Sequence, residues 1–322
     1  MWAYTVRRIL WTIPIVLGIV LITFVLFSVV APDPAYTQLG KRKTVAQLTA
    51  LRAEMGLNKP RWINIPAAKS GGIGKLFDSQ FFDILLWRFP ESQHYHEPLG
   101  SIILRKAPAS AAIMFPIFFI ELGLQLSLAL VCAFNRGRWP DHLITFLAVL
   151  GLCVPGLSLI ILAQALLGFQ SGIFPVAGWD SGIRMWQFAA LPIVVGVVSG
   201  LGGGVRFYRT VMVEEVYTDY VRTARAKGVS NREVLLTHVL KNAMIPVITQ
   251  TITHLPFLIL GSLLLERMFQ VPGLGNLLVE ALANSDRPIL LGMTYGISVV
   301  YCIMLLVNDI CYTLVDPRVR LT

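Results

Sequence analysis

Asp219-Tyr220-Val221-Arg222-Thr223-Ala224-Arg225-Ala226-Lys227-Gly228 stands at the centre of a polar island that runs from Arg206 to Pro246. Apolar runs of membrane-crossing length flank it on both sides. A connection between membrane helices needs only a few residues. This one is far longer, holds seven Lys or Arg residues, and has the periodicity of folded structure. Those features suit a surface that docks onto a partner.

The periodicity predicts two short helices around a break. Val213, Val216, Tyr217, Tyr220, Val221 and Ala224 recur at three- and four-residue steps, which places them on one helical face. Gly228 after Lys227 suits a left-handed C-terminal cap, with the cation favourable at the helix end. Ser230-Asn231-Arg232-Glu233 fits a capping box, in which the Ser230 hydroxyl accepts from the amide of Glu233 and Glu233 reaches back. The second helix is predicted to run to about Asn242, with Pro246 at the membrane re-entry. An amphipathic helix lying on anionic lipid is the competing reading. The small residues Ala224, Ala226 and Gly228 favour a protein groove, since a lipid-facing helix carries larger apolar groups.

Working outward, the whole chain is greasy. Of its 322 residues, 55% are hydrophobic and 14% charged, and the mean hydropathy is +0.68. A soluble domain carries about 25% charged residues, so this composition points to an integral membrane protein. The net charge of +9 also raises nucleic acid as a partner. The basic residues, however, are dispersed between apolar runs and form no stripe with aromatics, so no nucleic-acid partner is expected. Cys132, Cys153, Cys302 and Cys311 all fall in apolar runs without CxxC spacing, which argues against a disulfide or metal framework.

A membrane helix needs about 20 mostly apolar residues. Six segments meet that test: Ile9–Val30, Ala109–Phe134, Leu143–Phe169, Phe188–Val205, Val247–Leu265 and Ile289–Tyr312. The runs do not alternate as barrel strands do, so helices are the expected form. The first run exceeds the 7–15 apolar residues of a signal peptide core and ends in Ala31-Pro32-Asp33-Pro34, with no small-residue cleavage pattern. It is read as a retained membrane helix. Arg7, Arg8, Arg136, Arg138, the island's basic residues, Arg318 and Arg320 fall on one side of the membrane. The short opposite loops hold Arg184, Arg267 and Arg287. Both termini are therefore expected to be cytoplasmic. The organisation is residues 1–30 as the first helix, 31–108 as an external segment and 109–322 as a five-helix core carrying the loop 206–246. Within the external segment, Thr44–Met55 reads as a helix ended by Gly56, Phe81–Trp87 as strand or helix, and Ala67–Gly74 as linker.

No chemistry-bearing set emerges. The best phosphate-loop decoy, Gly74-Lys75, has Lys69 five residues before the Gly and Leu76 after the Lys. No Ser/His/Asp triad or metal-ligand set shares an element, and His94 and His96 are read as ordinary exposed histidines. Gly196, Gly200 and Gly204, then Gly292 and Gly296, lie at four-residue steps that let membrane helices approach closely. Ionisable groups inside spans are costly. Glu121 and His254 are candidates for a translocation path or for structural pairing. Asp309 is expected to be paired structurally. Glu266 is expected to fix the Pro272-Gly273-Leu274-Gly275 loop.

The run from Asp219 to Gly228 resembles the cytoplasmic loop of binding-protein-dependent ABC import permeases, most closely the dipeptide, oligopeptide and nickel branch. The general motif, Glu-Ala-Ala then Gly four residues on, falls on Arg222, Thr223, Ala224 and Gly228. Asn242-Ala243-Met244-Ile245-Pro246 matches the branch pattern, while the general motif's later Pro falls on Lys241. Phe174-Pro175-Val176-Ala177-Gly178, Glu266 through Gly275 and Tyr312-Thr313-Leu314-Val315-Asp316-Pro317-Arg318 extend the resemblance over most of the chain. Within the first outer segment it is confined to Met55-Gly56-Leu57-Asn58-Lys59-Pro60 and the approach to the second span.

The resemblance implies an all-α permease subunit of the six-helix type I importer kind, in the cytoplasmic membrane of a prokaryote. It implies a second permease subunit, a different chain, together with two ABC ATPases and an external substrate-binding protein. It places ATP and Mg on the ATPases and no cofactor on this chain. It assigns ATPase coupling to Tyr220, Arg222, Thr223, Ala224, Arg225, Lys227 and Gly228. Di- or oligopeptides are the implied cargo, with nickel or another small solute as the alternative. An ion-coupled secondary transporter would use Glu121 and His254 but leaves the island without a role.

Overall fold

The computed structural model of the protein describes residues 2–33, 35–36, 44–65, 73–180 and 182–315. The linker read at Ala67–Gly74 lies outside these residues up to position 72, and Asp316-Pro317-Arg318 lie outside them entirely. Every regular element among the described residues is helical. Four helices are long and apolar enough to cross a membrane, or five if one bent pair counts as a single span.

α1 (Trp2–Val25) continues through a π-helical turn, Leu26–Val30. α2 (Val45–Glu54) begins with a capping box between Thr44 and Gln47 and ends at Gly56, whose φ is +67°. α3 (Gln80–Leu85) makes the first five residues of the Phe81–Trp87 segment helical, and the chain turns at Leu86 and Trp87, the latter with φ of +58°. α4 (Leu99–Phe134) contains the predicted second span but starts ten residues before it. α5 (Trp139–Cys153) and α6 (Gly156–Ala163, extended by a π-helical turn to Gln170) meet at a bend of 96°. The predicted span Leu143–Phe169 is therefore not one straight helix. Pro155 has no amide hydrogen to continue the ladder, and it pushes Val154 into extended backbone (φ −89°, ψ 117°).

α7 (Met185–Val216) carries the predicted fourth span and runs on into the polar island. α8 (Asp219–Ala226) follows after a break at Thr218, whose backbone is extended (φ −68°, ψ 155°). The apolar face read as one helix is thus shared between two. Acidic Asp219 in the first turn of α8 favours the new helix start. Beyond Gly228 a helical turn (Asn231–Glu233) and a π-helical turn (Val234–Val239) lead directly into α9 (Leu240–Leu260). The helix does not stop near Asn242; it passes through Pro246. Prolines are tolerated in membrane helices because neighbouring helices and polar side chains can re-satisfy the freed backbone groups. α9 ends before Gly261 (φ +71°), and α10 (Leu263–Phe269), α11 (Leu274–Ala283) and α12 (Arg287–Val315) complete the chain.

The chain divides into two units, Met1–Ala107 with Leu277–Leu306, and Pro108–Asn276 with Val307–Thr322. In the first, Val20, Phe24, Ile84 and Leu291 are buried together. Phe24 meets Trp62 and Phe81 edge-on, with ring centroids 4.9 and 5.4 Å apart. Lys59 ties this segment down by pairing with Asp78 at 2.8 Å and Asp83 at 2.7 Å. Those two carboxylates hold its ammonium above the ordinary lysine pKa.

In the second unit, α5 packs most extensively on α7. The contact is close because Gly202 has no side chain: a Cβ there would lie 2.5 Å from the carbonyl oxygen of Ala148. A buried ion pair reinforces it. Asp141, 1% exposed, accepts from Arg209 Nε at 2.6 Å and Nη2 at 2.8 Å, and from the Gly137 amide at 3.0 Å. Removing one partner of a buried pair leaves an uncompensated charge, so Arg209→Ala is expected to destabilise the fold by about 3–5 kcal/mol. Thermal unfolding of the purified full chain checks this. A midpoint unchanged from the parent would show that the pair contributes nothing.

Candidate functional site

Two regions of the second unit gather the residues singled out from the sequence. The first is the surface around α8. Val221 is fully buried and Ala224 is 8% exposed; they pack with Tyr208, Met212, Val234 and Val239. Arg222, Thr223, Arg225, Lys227 and Gly228 are exposed on the other side. The seven candidate coupling residues therefore divide: Ala224 anchors, Tyr220 is half-buried, and five face outward.

Tyr220 donates its hydroxyl hydrogen to Glu215 Oε2. Burial first, and then that carboxylate, raise the phenol above its ordinary pKa, so it stays a donor at neutral pH. The helix end is closed by backbone alone. The Gly228 amide donates to the Arg225 carbonyl at 2.9 Å and the Val229 amide to the Ala224 carbonyl at 3.2 Å. With φ of +80° at Gly228, this is a Schellman cap, as the Lys227-Gly228 pair predicts. Ser230 Oγ accepts from the Glu233 amide at 3.3 Å. Arg222 and Asp219, 3.3 Å apart, are exposed enough that their ion pair adds little. The outward face thus presents three exposed cations, Arg222, Arg225 and Lys227, on a rigidly ended helix, only Arg222 having an acidic neighbour among the described residues. Nearby, the Arg136 guanidinium lies over the Tyr217 ring, 4.0 Å from its centroid.

The second region is a cavity of about 360 Å³ lined by residues of α4, α7 and α9. Glu121 and His254 both line it. With them are Gln125, Tyr208, Gln250 and Thr251, polar groups that the sequence reading passed over. Glu121 Oε1 accepts from Gln125 Nε2 at 2.6 Å, and the same amide donates to the Gly200 carbonyl at 3.1 Å. Gln250 Nε2 and His254 Nε2 are 3.2 Å apart. The signal for these partners was in the chain: Glu121/Gln125 and Gln250/His254 are each four apart, hence on one helical face.

The glycine ladder of α7 faces this region. A Cβ at Gly196 would meet Ile117 Cδ1 at 2.4 Å, one at Gly200 would meet Glu121 Oε1 at 2.0 Å, and one at Gly204 would meet the Gln125 carboxamide carbon at 2.0 Å. The two four-residue series, 196/200/204 and 117/121/125, match step for step. The ladder is a groove that receives side chains of α4. The close approach of backbones occurs instead at Gly202, against α5. In the other unit, Gly292 lies against Leu99 and Phe89, and Gly296 against Trp87.

Glu266 is 1% exposed. Its Oε1 accepts from Ser110 Oγ at 2.7 Å and its Oε2 from the Asn276 amide at 3.0 Å; Ser110 Oγ also accepts from the Leu274 amide at 2.7 Å. The carboxylate thereby holds the 272–275 loop, and Gly261, Gly273 and Gly275 leave it room. Asp309 is half-buried on α12. The His94 amide donates to Asp286 Oδ2 at 3.2 Å, and the His94 ring meets Tyr95 edge-on. Among the described residues no three His, Cys, Asp or Glu side chains are grouped to hold a metal ion.

Comparison with known proteins places this architecture. Residues 125–321 match the family described as binding-protein-dependent transport system inner membrane component, and residues 1–66 match the N-terminal region described for such membrane components. The chain is 32% identical over 321 residues to the glutathione transport system permease protein GsiC of Salmonella typhimurium, covering 98% of each chain. It is 28% identical over 326 residues to the oligopeptide transport system permease protein AppB of Bacillus subtilis, covering 99% of this chain and 100% of that one. A Brucella abortus protein whose name assigns it to a peptide transport system is 32% identical over 324 residues, 99% of each chain.

Proposed function

We propose a transport role from one premise: the chain belongs to the family of binding-protein-dependent transport system inner membrane components. It is a non-catalytic permease subunit of an ATP-driven importer, and its cargo is peptides or oligopeptides. The names of the Bacillus and Brucella relatives support peptides, and the Salmonella relative's cargo, glutathione, is itself a small peptide. The chain sits in the inner membrane of a prokaryote and crosses it six times, through α1, α4, the bent pair α5–α6, α7, α9 and α12. Both termini are cytoplasmic, residues 31–108 form an external segment, and 109–322 form the core.

The observation that carries this reading is the outward basic face of α8, ended at Gly228 by a cap that needs no partner. In the proposed complex it seats in a groove of an ABC ATPase. Arg222, Thr223, Arg225 and Lys227 make the contact, Gly228 fixes the helix end, and Tyr220 and Ala224 anchor the helix beneath. Two such ATPases carry ATP and Mg, a second and different permease chain completes the path, and an external binding protein delivers cargo. Closure of the ATPases on ATP moves α8, and with it α7 and α9, between two packing states. Glu121 and His254 line the path at the cavity.

Reconstitution tests the assignment. Vesicles holding this chain with its partner permease and ATPases, supplied with the binding protein, are expected to take up peptide only with ATP. Uptake by this chain alone, driven by a proton gradient without ATP, would replace the importer reading with a secondary transporter.

A further inference from the structure

We propose that the unit formed by Met1–Ala107 with Leu277–Leu306 carries a carboxylate-binding site, at a cavity ringed by Arg52, Arg61 and Arg287. The cavity measures about 240 Å³ and is also lined by Asp33, Ser28 and Gln80. Three guanidinium groups face it against one carboxylate, and that carboxylate is already engaged. Asp33 Oδ2 accepts from Arg52 Nε at 2.9 Å and Nη2 at 2.5 Å, and Oδ1 accepts from the Ala35 amide at 3.0 Å.

Arg287 has no such partner. Its Nη2 donates to Ser28 Oγ and, at 3.4 Å, to Gln80 Oε1, both neutral acceptors. Its Nε is buried and bonds to nothing among the described residues. The Arg61 side chain makes no hydrogen bond or ion pair among those residues, and it is exposed at the cavity rim. Asp33 acts on Arg287 through its charge, but among the described residues neither Arg61 nor Arg287 has a carboxylate in hydrogen-bond contact, and Arg287 keeps a desolvated, unused donor. Leaving a buried charged donor unmatched costs free energy that an incoming anion recovers.

The site is built rather than accidental. Gln80 Nε2 is held by the carbonyls of Leu57 at 3.2 Å and Lys59 at 2.7 Å, which turns its oxygen toward Arg287. The Gln80 amide bonds to the Pro60 carbonyl at 3.0 Å and the Phe81 amide to the Arg61 carbonyl at 3.1 Å, which seats the backbone of Arg61. The neighbouring acids Asp78 and Asp83 are taken by Lys59 and do not compete. A guanidinium fork matches the two oxygens of a carboxylate. The space, at roughly 30 Å³ per water, admits that group with a short stem. A peptide C-terminus and an acidic side chain both supply that carboxylate; the chemistry recognised is the same. The inference stands apart from the transport reading, because it requires no partner subunit.

The test uses the full chain in phosphatidylcholine nanodiscs at low salt, since exposed charges are screened over about 10 Å at 0.1 M. Calorimetry compares three probes: Ala-Ala-Ala, its C-terminal amide, and N-acetyl-Ala-Glu-Ala-amide. At least one carboxylate-bearing probe is expected to bind about tenfold or more tightly than Ala-Ala-Ala-amide, and to lose about tenfold in affinity in Arg61→Ala and in Arg287→Lys. Arg61→Ala removes an exposed side chain that makes no hydrogen bond or ion pair among the described residues, and it relieves a like charge beside Arg287, so the fold is not at stake in that variant. Binding by the first probe identifies a terminal carboxylate as the source, and binding by the third a side-chain carboxylate. Equal binding of the plain amide, absence of binding by both carboxylate probes, or undiminished binding in both variants overturns the proposal.

Discussion

Gly228→Val is expected to leave the chain inserted and abundant while ATP-driven uptake by the reconstituted complex falls by about tenfold or more, the consequence of ~1–2 kcal/mol of strain in the left-handed region. The backbone there has φ of +80°, a conformation that a β-branched residue resists. Space is not the obstacle, since nothing lies within 4 Å of a Cβ at this position. The effect is conformational. It unwinds the bonds from Gly228 to Arg225 and from Val229 to Ala224, and with them the last turn of α8. Val221 remains buried and holds the first turn, so the damage is confined to the outward face carrying Arg225 and Lys227. Asn tolerates the left-handed region better than other side chains, so Gly228→Asn should restore most of the uptake. Wild-type uptake and full ATPase copurification in the valine variant would remove α8 from the coupling role.

The second large effect is expected at Gly200. Gly200→Leu should abolish most uptake, by about tenfold or more, with ATPase copurification intact, because it fills the cavity proposed as the path and leaves the α8 surface untouched. A Cβ there would sit 2.0 Å from Glu121 Oε1 and 2.4 Å from its carboxyl carbon. That carboxylate is the tip of a flexible side chain, so it yields instead of unfolding the helices. Gln125 follows, since its amide bonds both to Glu121 and to the Gly200 carbonyl. The rest of the leucine enters the cavity. Gly202→Ala is the contrast, two residues away on the same helix. Its methyl would lie 2.5 Å from the Ala148 carbonyl oxygen, and main chain cannot rotate aside. There the expected loss is about 1–3 kcal/mol of stability, read as a lower unfolding temperature and less folded protein. Normal uptake in Gly200→Leu would show that the cavity does not lie on the path.

Local features proved legible. The helix read at Thr44–Met55 and ended by Gly56 is α2, Gly56 and Gly228 take positive φ, and Ser230 accepts from the Glu233 amide. Each depends on residues within one turn, so spacing along the chain suffices. The apolar runs were legible for the same reason, since hydrophobicity over about 20 residues is a sum that needs no neighbour. What escaped was geometry between elements. Hydropathy cannot see the 96° bend after α5, although Pro155 marked its place. Periodicity could not reveal the break at Thr218, because the apolar positions keep step across it. Gln125, Gln250, Tyr208 and Thr251 went unremarked because a polar group becomes part of a site only when another helix closes a cavity around it.

The glycines of α7 mark the division. From the chain alone, Gly196, Gly200 and Gly204 form the ordered series and Gly202 is an interloper between them. By itself the sequence determined an all-helical membrane protein, the family to which it belongs, and a capped basic helix in its long polar loop. These follow from composition and from interactions within a turn or two. Only the tertiary structure decided that the ordered series receives Ile117, Glu121 and Gln125, while Gly202 is where two backbones meet. A helix presents glycines on several faces, and the missing side chain acquires a meaning only from whichever neighbour packs against that face.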